Sequence, residues 1–220
     1  MSASSAAPRR AFPLLPLGLA AVGFAVSLAL LFYAWNLRRV TGDYGRAELP
    51  RLGEVPDFGA TAETGATVRR ADLGGKVFIA DFIFTTCAGI CPGMTAKMKS
   101  LSERLRDEPR IRFVSFTVDP DHDTPEVLRR YALEHGADPA RWSFLRIEKA
   151  GLRRLAREGF RLGVEDGAAG AAEPILHSTR FVLVDTAGVI RGYYDSDEPG
   201  AMTALAADAR RLAGESASRR

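Results

Sequence analysis

The chain has one long uncharged segment near its N-terminus, followed by a series of short apolar runs. Residues 11–37 contain no Asp, Glu, Lys or Arg and are rich in Leu, Val, Phe and Ala. A helix of about 20 apolar residues is long enough to cross the hydrocarbon core of a bilayer. Bulky residues end the run, which argues against a signal-peptide cleavage site. We therefore predict a retained transmembrane anchor over 11–37.

After the anchor, apolar positions recur alternately with the periods of strands and of helices. Strands alternating with helices indicate an α/β fold whose parallel sheet is covered on both faces. Met94 and Met98 lie on the apolar stripe of the first helix, so we expect them in the core. The predicted elements are a hairpin within 58–73, strands over 77–84, 111–118, 142–147, 181–184 and 189–194, and helices over 92–108, 124–135, 149–157 and 199–213.

The length of 220 residues, with 46% hydrophobic and 26% charged residues, fits one cored domain plus an appendage. The Gly- and Ala-rich segment 163–174 follows neither period and indicates a mobile loop. The predicted division is a short tail over 1–10, the anchor over 11–37, a tether over 38–53, the globular domain over 54–213 and a disordered tail over 214–220.

The net charge of +3 comes from the N-terminal region and not from the predicted domain. Of the 30 Lys and Arg residues, four lie within 1–39, which has no acidic residue, so the remaining 26 nearly balance the 27 acidic residues. Nucleic-acid binding requires a clustered basic face. We therefore expect no nucleic-acid partner.

The candidate chemistry lies at Cys87 and Cys91, the only two cysteines of the chain. They sit where an apolar strand pattern changes to a helix start at Pro92, and the positive end of a helix favours thiolate. Four positions apart, two sulfurs can form a disulfide or hold one ion. A purely structural disulfide would close a very short loop and remove little chain entropy. We therefore expect a reactive or metal-binding pair.

Histidine is the other candidate ligand, and the chain has three. His177 comes just before a predicted strand, whose end can lie beside the loop that carries the dithiol. His135 ends a polar helix, and we expect it to be structural. His122 lies in a turn and stays open as a candidate.

Three motifs in order resemble the Sco/SenC family of thioredoxin-fold copper proteins. They are Phe82 to Cys87 with Cys91-Pro92, Val118 to Glu126, and His177-Ser178 before a strand. The resemblance covers about residues 54–213, and an N-terminal membrane anchor is also typical of that family. It implies a thioredoxin-like fold with a mixed central sheet flanked by helices.

The resemblance also implies a function, a copper-binding assembly factor for cytochrome c oxidase that acts on the dinuclear copper centre of subunit II. The family's copper ligands fall on Cys87, Cys91 and His177, for Cu(I) or Cu(II). Another copper chaperone or a thioredoxin-like reductant is a further expected partner. Many members have Pro and an acidic residue where this chain has Ala88 and Leu176, which puts the redox potential in question but removes no ligand.

The alternative function is a thiol:disulfide oxidoreductase that uses Cys87 and Cys91 as catalytic residues. Redox members of this fold usually have two residues between the cysteines, and this chain has three, so we place copper delivery first.

Two arginines flank each end of the anchor, so charge does not define its orientation. Because the bacterial periplasm is oxidising and has dedicated thiol and copper handling, we expect a single-pass protein of the bacterial inner membrane with its domain in the periplasm.

Overall fold

The computed structural model describes residue 24 and residues 26–33, 48–161 and 179–218. Two units are present, Met1–Ala47 and Glu48–Arg220. In the first, Phe24 and residues 26–33 are helical, and most of the predicted anchor lies outside the described residues. No helix among the described residues is both long enough and apolar enough to cross a membrane.

The second unit is built on one eight-stranded sheet with the order β1-β8-β7-β4-β5-β6-β2-β3. The strand β4 is central and buried along its whole length, as predicted. The strands are β1 Gly53–Glu54, β2 Gly59–Ala62, β3 Thr67–Arg69, β4 Val77–Ile83, β5 Ile111–Thr117, β6 Trp142–Arg146, β7 Arg180–Val184 and β8 Val189–Asp195.

Only the middle of the sheet is parallel. The strands β4, β5 and β6 run in the same direction, whereas β7, β8, β1, β2 and β3 pair antiparallel with their neighbours. The expectation of a parallel sheet therefore holds only for β4, β5 and β6, which helices connect. The pairs β2–β3 and β7–β8 are joined by short turns, which can join only antiparallel strands. The mixed sheet implied by the family resemblance is present.

Helices cover both faces of the sheet. Their bounds are α1 Cys91–Arg104, α2 Pro125–Glu134, α3 Lys149–Arg154, which continues into a π-helical turn over Leu155–Gly159, and α4 Ala201–Ser218. One buried cluster, here called the α1-side core, contains Met94 and Met98, which confirms their predicted place in the core. The cluster on the opposite face, the α3-side core, contains Leu152 and Phe160.

The globular unit begins earlier and its last helix ends later than the sequence indicates. Residues from Glu48 onward belong to the unit, although a tether was predicted to residue 53. The Arg191 guanidinium donates to the carbonyls of Leu49 and Pro50, which fixes this segment beside β8. At the other end, α4 continues to Ser218 instead of ending at 213, supported by the Arg211–Glu215 ion pair one turn apart.

Candidate functional site

The two cysteines lie together at the start of α1, just beyond the end of β4. Cys87 is partly exposed and Cys91 is 3% exposed, and both are free thiols. The N-cap residue Ile90 offers no side-chain acceptor to the helix. Instead, the Cys87 sulfur accepts a hydrogen bond from the Cys91 backbone N–H, with an N···S distance of 3.5 Å. The sulfur therefore caps the helix, in place of the usual Ser, Thr or Asp oxygen.

The surroundings make the two thiols chemically different. Burial opposes ionisation of Cys87, but hydrogen bonds from the Cys91 thiol and from backbone N–H groups of residues 89–91 outweigh it and lower the pKa of Cys87. Burial raises the pKa of Cys91 to about 12, and its hydrogen bond to Cys87 adds to the rise. Cys87 is thus the more accessible and more readily ionised sulfur, and Cys91 is a buried thiol.

This asymmetry predicts unequal rates of alkylation. In the reduced protein at pH 8, iodoacetamide should modify Cys87 at least about ten times faster than Cys91, because only the thiolate reacts. Mass spectrometry of peptides after timed quenching measures both rates. The Cys91→Ala variant is the matched control, in which Cys87 should react more slowly because the thiol that donates to it is removed. Equal rates at the two cysteines would contradict the pKa difference.

The loop before Cys87 is fixed by a buried carboxylate. Asp123, which is 0% exposed, accepts from the Thr85 backbone N–H at 3.1 Å and from the hydroxyls of Thr85 and Thr117 at 2.5 Å each. Its Oδ1 also lies 3.1 Å from the His122 Nδ1. Asp123 is therefore an anchor between the dithiol loop and the end of β5, and Thr124 is the cap of α2. The sequence analysis did not predict this contact, because Asp123 and Thr85 are 38 positions apart.

The predicted ligands are only partly within the described structure. Cys87 and Cys91 are brought together, whereas His177 lies outside the described residues, as does the predicted loop over 163–174. Within the described ranges, no three His, Cys, Asp or Glu side chains gather as a group that could hold a metal ion. His135 stacks on Tyr131 and contacts its carbonyl, as expected of a structural histidine.

The start of β7, which follows His177 in the chain, is tied to the dithiol helix. The Thr179 carbonyl accepts from the Ser196 backbone N–H at 2.9 Å. The Lys97 ammonium on α1 donates to the Ser196 carbonyl at 2.8 Å and to its hydroxyl at 3.1 Å. Because β7 is antiparallel to β4, its first residues lie beside the end of β4 that leads into the dithiol loop.

Known proteins with similar sequences and structures share this arrangement of elements. The chain is 33% identical over 147 residues to the SCO1 protein homolog of Bacillus subtilis, covering 66% of this chain and 75% of that protein. It is 29% identical over 150 residues to a putative copper-binding protein of Stutzerimonas stutzeri, covering 66% and 71%.

Among solved structures, that of BsSco is 29% identical with a TM-score of 0.65, and the match covers 76% of this chain and 98% of that one. BsSco is described there as having a disulfide switch and as a member of the Sco family of cytochrome c oxidase assembly proteins. The SCO1/SenC family model matches residues 47–214, which include the dithiol and the whole sheet. The chain belongs to the SCO1/SenC family.

Proposed function

We propose that this chain is a membrane-anchored metallochaperone. It binds copper through Cys87, Cys91 and His177 and delivers it to the dinuclear copper centre of cytochrome c oxidase subunit II. The observation that carries the proposal is the pair of free thiols at the N-terminus of α1, of which one caps the helix. The similarity to a copper-binding protein and to the oxidase assembly protein BsSco supports the metal and the partner.

The donor set suits copper. Thiolates are soft ligands that select Cu(I), and an added imidazole gives a three-coordinate site that can also accept Cu(II). Zinc would require a fourth ligand. Two thiolates and one Cu(I) carry a net charge of minus one, which the backbone N–H groups at the start of α1 partly offset.

The contacts at the start of β7 support His177 as the third ligand. Thr179 is only two residues beyond His177, and a chain of two residues spans at most about 7 Å. Thr179 is in turn linked through Ser196 to Lys97, on the helix that begins with Cys91. The described chain therefore resumes, two residues after His177, at the edge of the sheet that carries the dithiol.

The anchor and the location rest on sequence and chemistry. Most of the helical residues 24 and 26–33 carry exposed apolar side chains, as expected of a membrane-spanning helix. A single-pass anchor in the bacterial inner membrane would hold the domain in the periplasm, where thiol and copper chemistry is supported. Delivery to an oxidase subunit in the same membrane then needs no long diffusion.

Copper loading of the full chain in mild detergent tests the function. The reduced protein should bind about one Cu(I) per chain, and oxidation of the metal should produce thiolate-to-Cu(II) charge-transfer absorption. The loaded protein should then transfer copper to the apo form of subunit II, seen as the spectrum of its dinuclear centre. The Cys87→Ser/Cys91→Ser variant is the control and should bind none. A reduced wild-type protein without bound copper would overturn the proposal.

A second candidate, a thiol:disulfide oxidoreductase acting on partner cysteines, is favoured by the asymmetry of the two thiols. Cys87, which is partly exposed and has a lowered pKa, can attack a disulfide as its thiolate, and the buried Cys91 can then resolve the mixed disulfide. The His177→Ala variant distinguishes the two functions. If the His177→Ala variant reduces a disulfide substrate at the wild-type rate and the wild type transfers no copper, the oxidoreductase is the correct assignment.

A further inference from the structure

The end of the domain opposite the dithiol carries a cluster of arginine side chains. Cys87 and Cys91 follow the end of β4, whereas the connection from α1 to β5 lies beside the start of β4, since Ile111 is opposite Val77 in register. The seven residues of β4 separate the two ends by about 20 Å. We call the cluster the arginine end, and its members are Arg104, Arg106, Arg110, Arg112, Arg141 and Arg210.

Two of these guanidinium groups are held by neutral carbonyls instead of carboxylates. Arg141 donates to three carbonyls near the end of α1, at 2.7 to 3.4 Å. Arg112 donates to two carbonyls just before and at the start of β5, at 2.6 and 3.2 Å. A carbonyl satisfies the N–H donors but leaves the positive charge in place. Burial and the charge of Arg112 lower the pKa of Arg141, against opposing effects of Asp138 and Asp107, as expected of two cations that repel each other.

The carboxylates described in this region do not neutralise the cluster. Asp107 and Glu108 both lie beside Arg210, at 3.2 and 4.0 Å. The one carboxylate in the last turn of α1 is paired with a lysine of the same helix. Arg104 and Arg106 are exposed and form no ion pair with any residue that the structure describes. The near balance of charges over the whole domain therefore conceals a local excess of positive charge.

The chain enters the domain at this same end. Glu48 lines a small cavity together with the turn between β7 and β8 and with Glu215 of α4. That turn follows the end of β7, which lies beside the start of β4, and Arg210 precedes Glu215 by little more than one turn of α4. The predicted anchor ends at residue 37, so the ten residues 38–47 lead to Glu48 and span at most about 35 Å. The arginine end is thus within reach of the headgroups of a membrane that holds the anchor.

We propose that the arginine end docks on anionic phospholipid headgroups and thereby directs the dithiol away from the bilayer. The inference rests on the anchor and the location in the proposed function. Guanidinium groups bind phosphate oxygens through two parallel hydrogen bonds. In a periplasmic location the phosphate-bearing surface is the membrane and not a nucleic acid, and anionic lipids attract basic segments beside a membrane-spanning helix. Because the anchor raises the local concentration of the domain at the membrane, weak headgroup contacts suffice to orient it.

Docking would give the dithiol a defined height above the membrane. With the arginine end on the headgroups, the length of β4 places Cys87 about 20 Å farther out. The acidic residues Asp119 and Glu126 lie just after β5 and at the start of α2, at the dithiol end, and anionic headgroups repel them. The proposed copper site would then face a partner domain that projects from the same membrane, rather than the lipid.

Hydrogen exchange of the full chain in lipid nanodiscs tests the docking. One set of discs contains only phosphatidylcholine, and in the other phosphatidylglycerol replaces one third of it. At low ionic strength the backbone amides over 104–112 should exchange at least about threefold more slowly in the anionic discs, and added salt should remove the difference. Amides over 119–126, at the dithiol end, should exchange equally in both kinds of disc.

Charge reversal identifies the side chains that make the contact. Arg104→Glu/Arg106→Glu should abolish the difference in exchange between the two kinds of disc. The matched control is Arg153→Glu/Arg154→Glu, which makes the same change in net charge on two exposed arginines of α3 and should behave as wild type. The comparison of discs needs only the wild type if the variant fails to fold. Equal wild-type exchange over 104–112 in the two kinds of disc, or a difference that persists after charge reversal, would overturn the inference.

Energy transfer measures the direction of the dithiol. A donor dye on Cys87 of the Cys91→Ala variant and acceptor dyes on the headgroups should show less transfer in anionic than in neutral discs, because docking holds the dithiol outward. Equal transfer would contradict the outward orientation. If the amides over 104–112 are protected only after apo subunit II is added, the arginine end is a protein interface and the membrane is not its occupant.

Failure of the proposed function gives different results. A wild-type protein that docks on anionic discs but binds no Cu(I) would refute copper delivery and leave the docking unaffected. A chain that does not insert into discs would refute the anchor. Sedimentation with phosphatidylglycerol vesicles then measures the arginine end by itself, and absence of binding at low ionic strength would refute the docking as well.

Discussion

Replacement of His177 by alanine is expected to weaken copper binding about a hundredfold or more, while the Cys87–Cys91 disulfide still forms. Loss of a partner that only orients a ligand already weakens metal binding by about 10- to 100-fold. Loss of the imidazole itself should therefore have at least the larger effect. Competition with a Cu(I) or Cu(II) chelator measures the affinity, and thiol counting after mild oxidation measures the disulfide.

The chain offers a matched control for this substitution. His135 stacks on Tyr131 at the end of α2, with a centroid distance of 4.1 Å, and its Nδ1 lies 2.9 Å from the Tyr131 carbonyl. The His135→Ala variant should keep wild-type copper affinity, although its stability can fall. If His177→Ala also keeps that affinity, the assignment of the third ligand is wrong. His122, held by Asp123 at the end of β5, would then be the imidazole to test.

The Asp81→Asn variant is expected to be more stable than the wild type at pH 8, by on the order of 4 kcal/mol in the free energy of unfolding. Asp81 lies in the middle of β4, is 0% exposed and has no hydrogen-bond partner for its carboxyl oxygens within the described part of the chain. Burial raises the pKa of Asp81 from 3.8 to about 7, against an opposing effect of Ser115 and the backbone. The folded state therefore favours the protonated acid. Its contribution to stability is complete below pH 3.8 and is lost as the pH rises to about 7.

Urea unfolding of the reduced proteins at pH 5.5 and pH 8 measures the effect. The difference between Asp81→Asn and wild type should grow between the two pH values. Asp185→Asn is the contrasting variant, since Asp185 pairs with the buried Arg191 and its replacement removes the carboxylate that balances the guanidinium charge. It should destabilise the protein by about 3 kcal/mol at both pH values. A wild-type protein that is as stable as Asp81→Asn at pH 8 would contradict the uncompensated burial of Asp81.

The elements that depend on local patterns could be predicted from the sequence. The apolar run of β4, which only Asp81 interrupts, and the Pro after Cys91 defined the strand, the helix start and the reactive loop between them. The hairpin of β2 and β3 follows from the glycine between them, because Gly65 has a φ of 83° that suits a residue without a β-carbon. Residues close in sequence determine each of these features.

The contacts that complete the site could not be predicted in the same way. Asp123 and Thr85 are 38 positions apart, and Lys97 and Ser196 are 99 apart, so no local periodicity joins them. For Asp81 there was one signal, a single charged residue in an otherwise apolar strand. That signal indicates a buried acid only once the strand is known to be covered on both faces. The partial parallel pairing of the sheet likewise depends on which strands become neighbours.

The sulfur that caps α1 makes the start of this helix sensitive to the chemical state of Cys87. In most helices the capping atom is chemically inert, and the first turn is the same whatever the protein is bound to. Here the acceptor is a thiol sulfur that can be oxidised, alkylated or shared with a cargo. Each of these events changes the sulfur lone pair that accepts the hydrogen bond from the Cys91 backbone N–H. The geometry of the first helical turn therefore depends on the chemistry at Cys87, and the start of α1 should differ between the free and the modified sulfur.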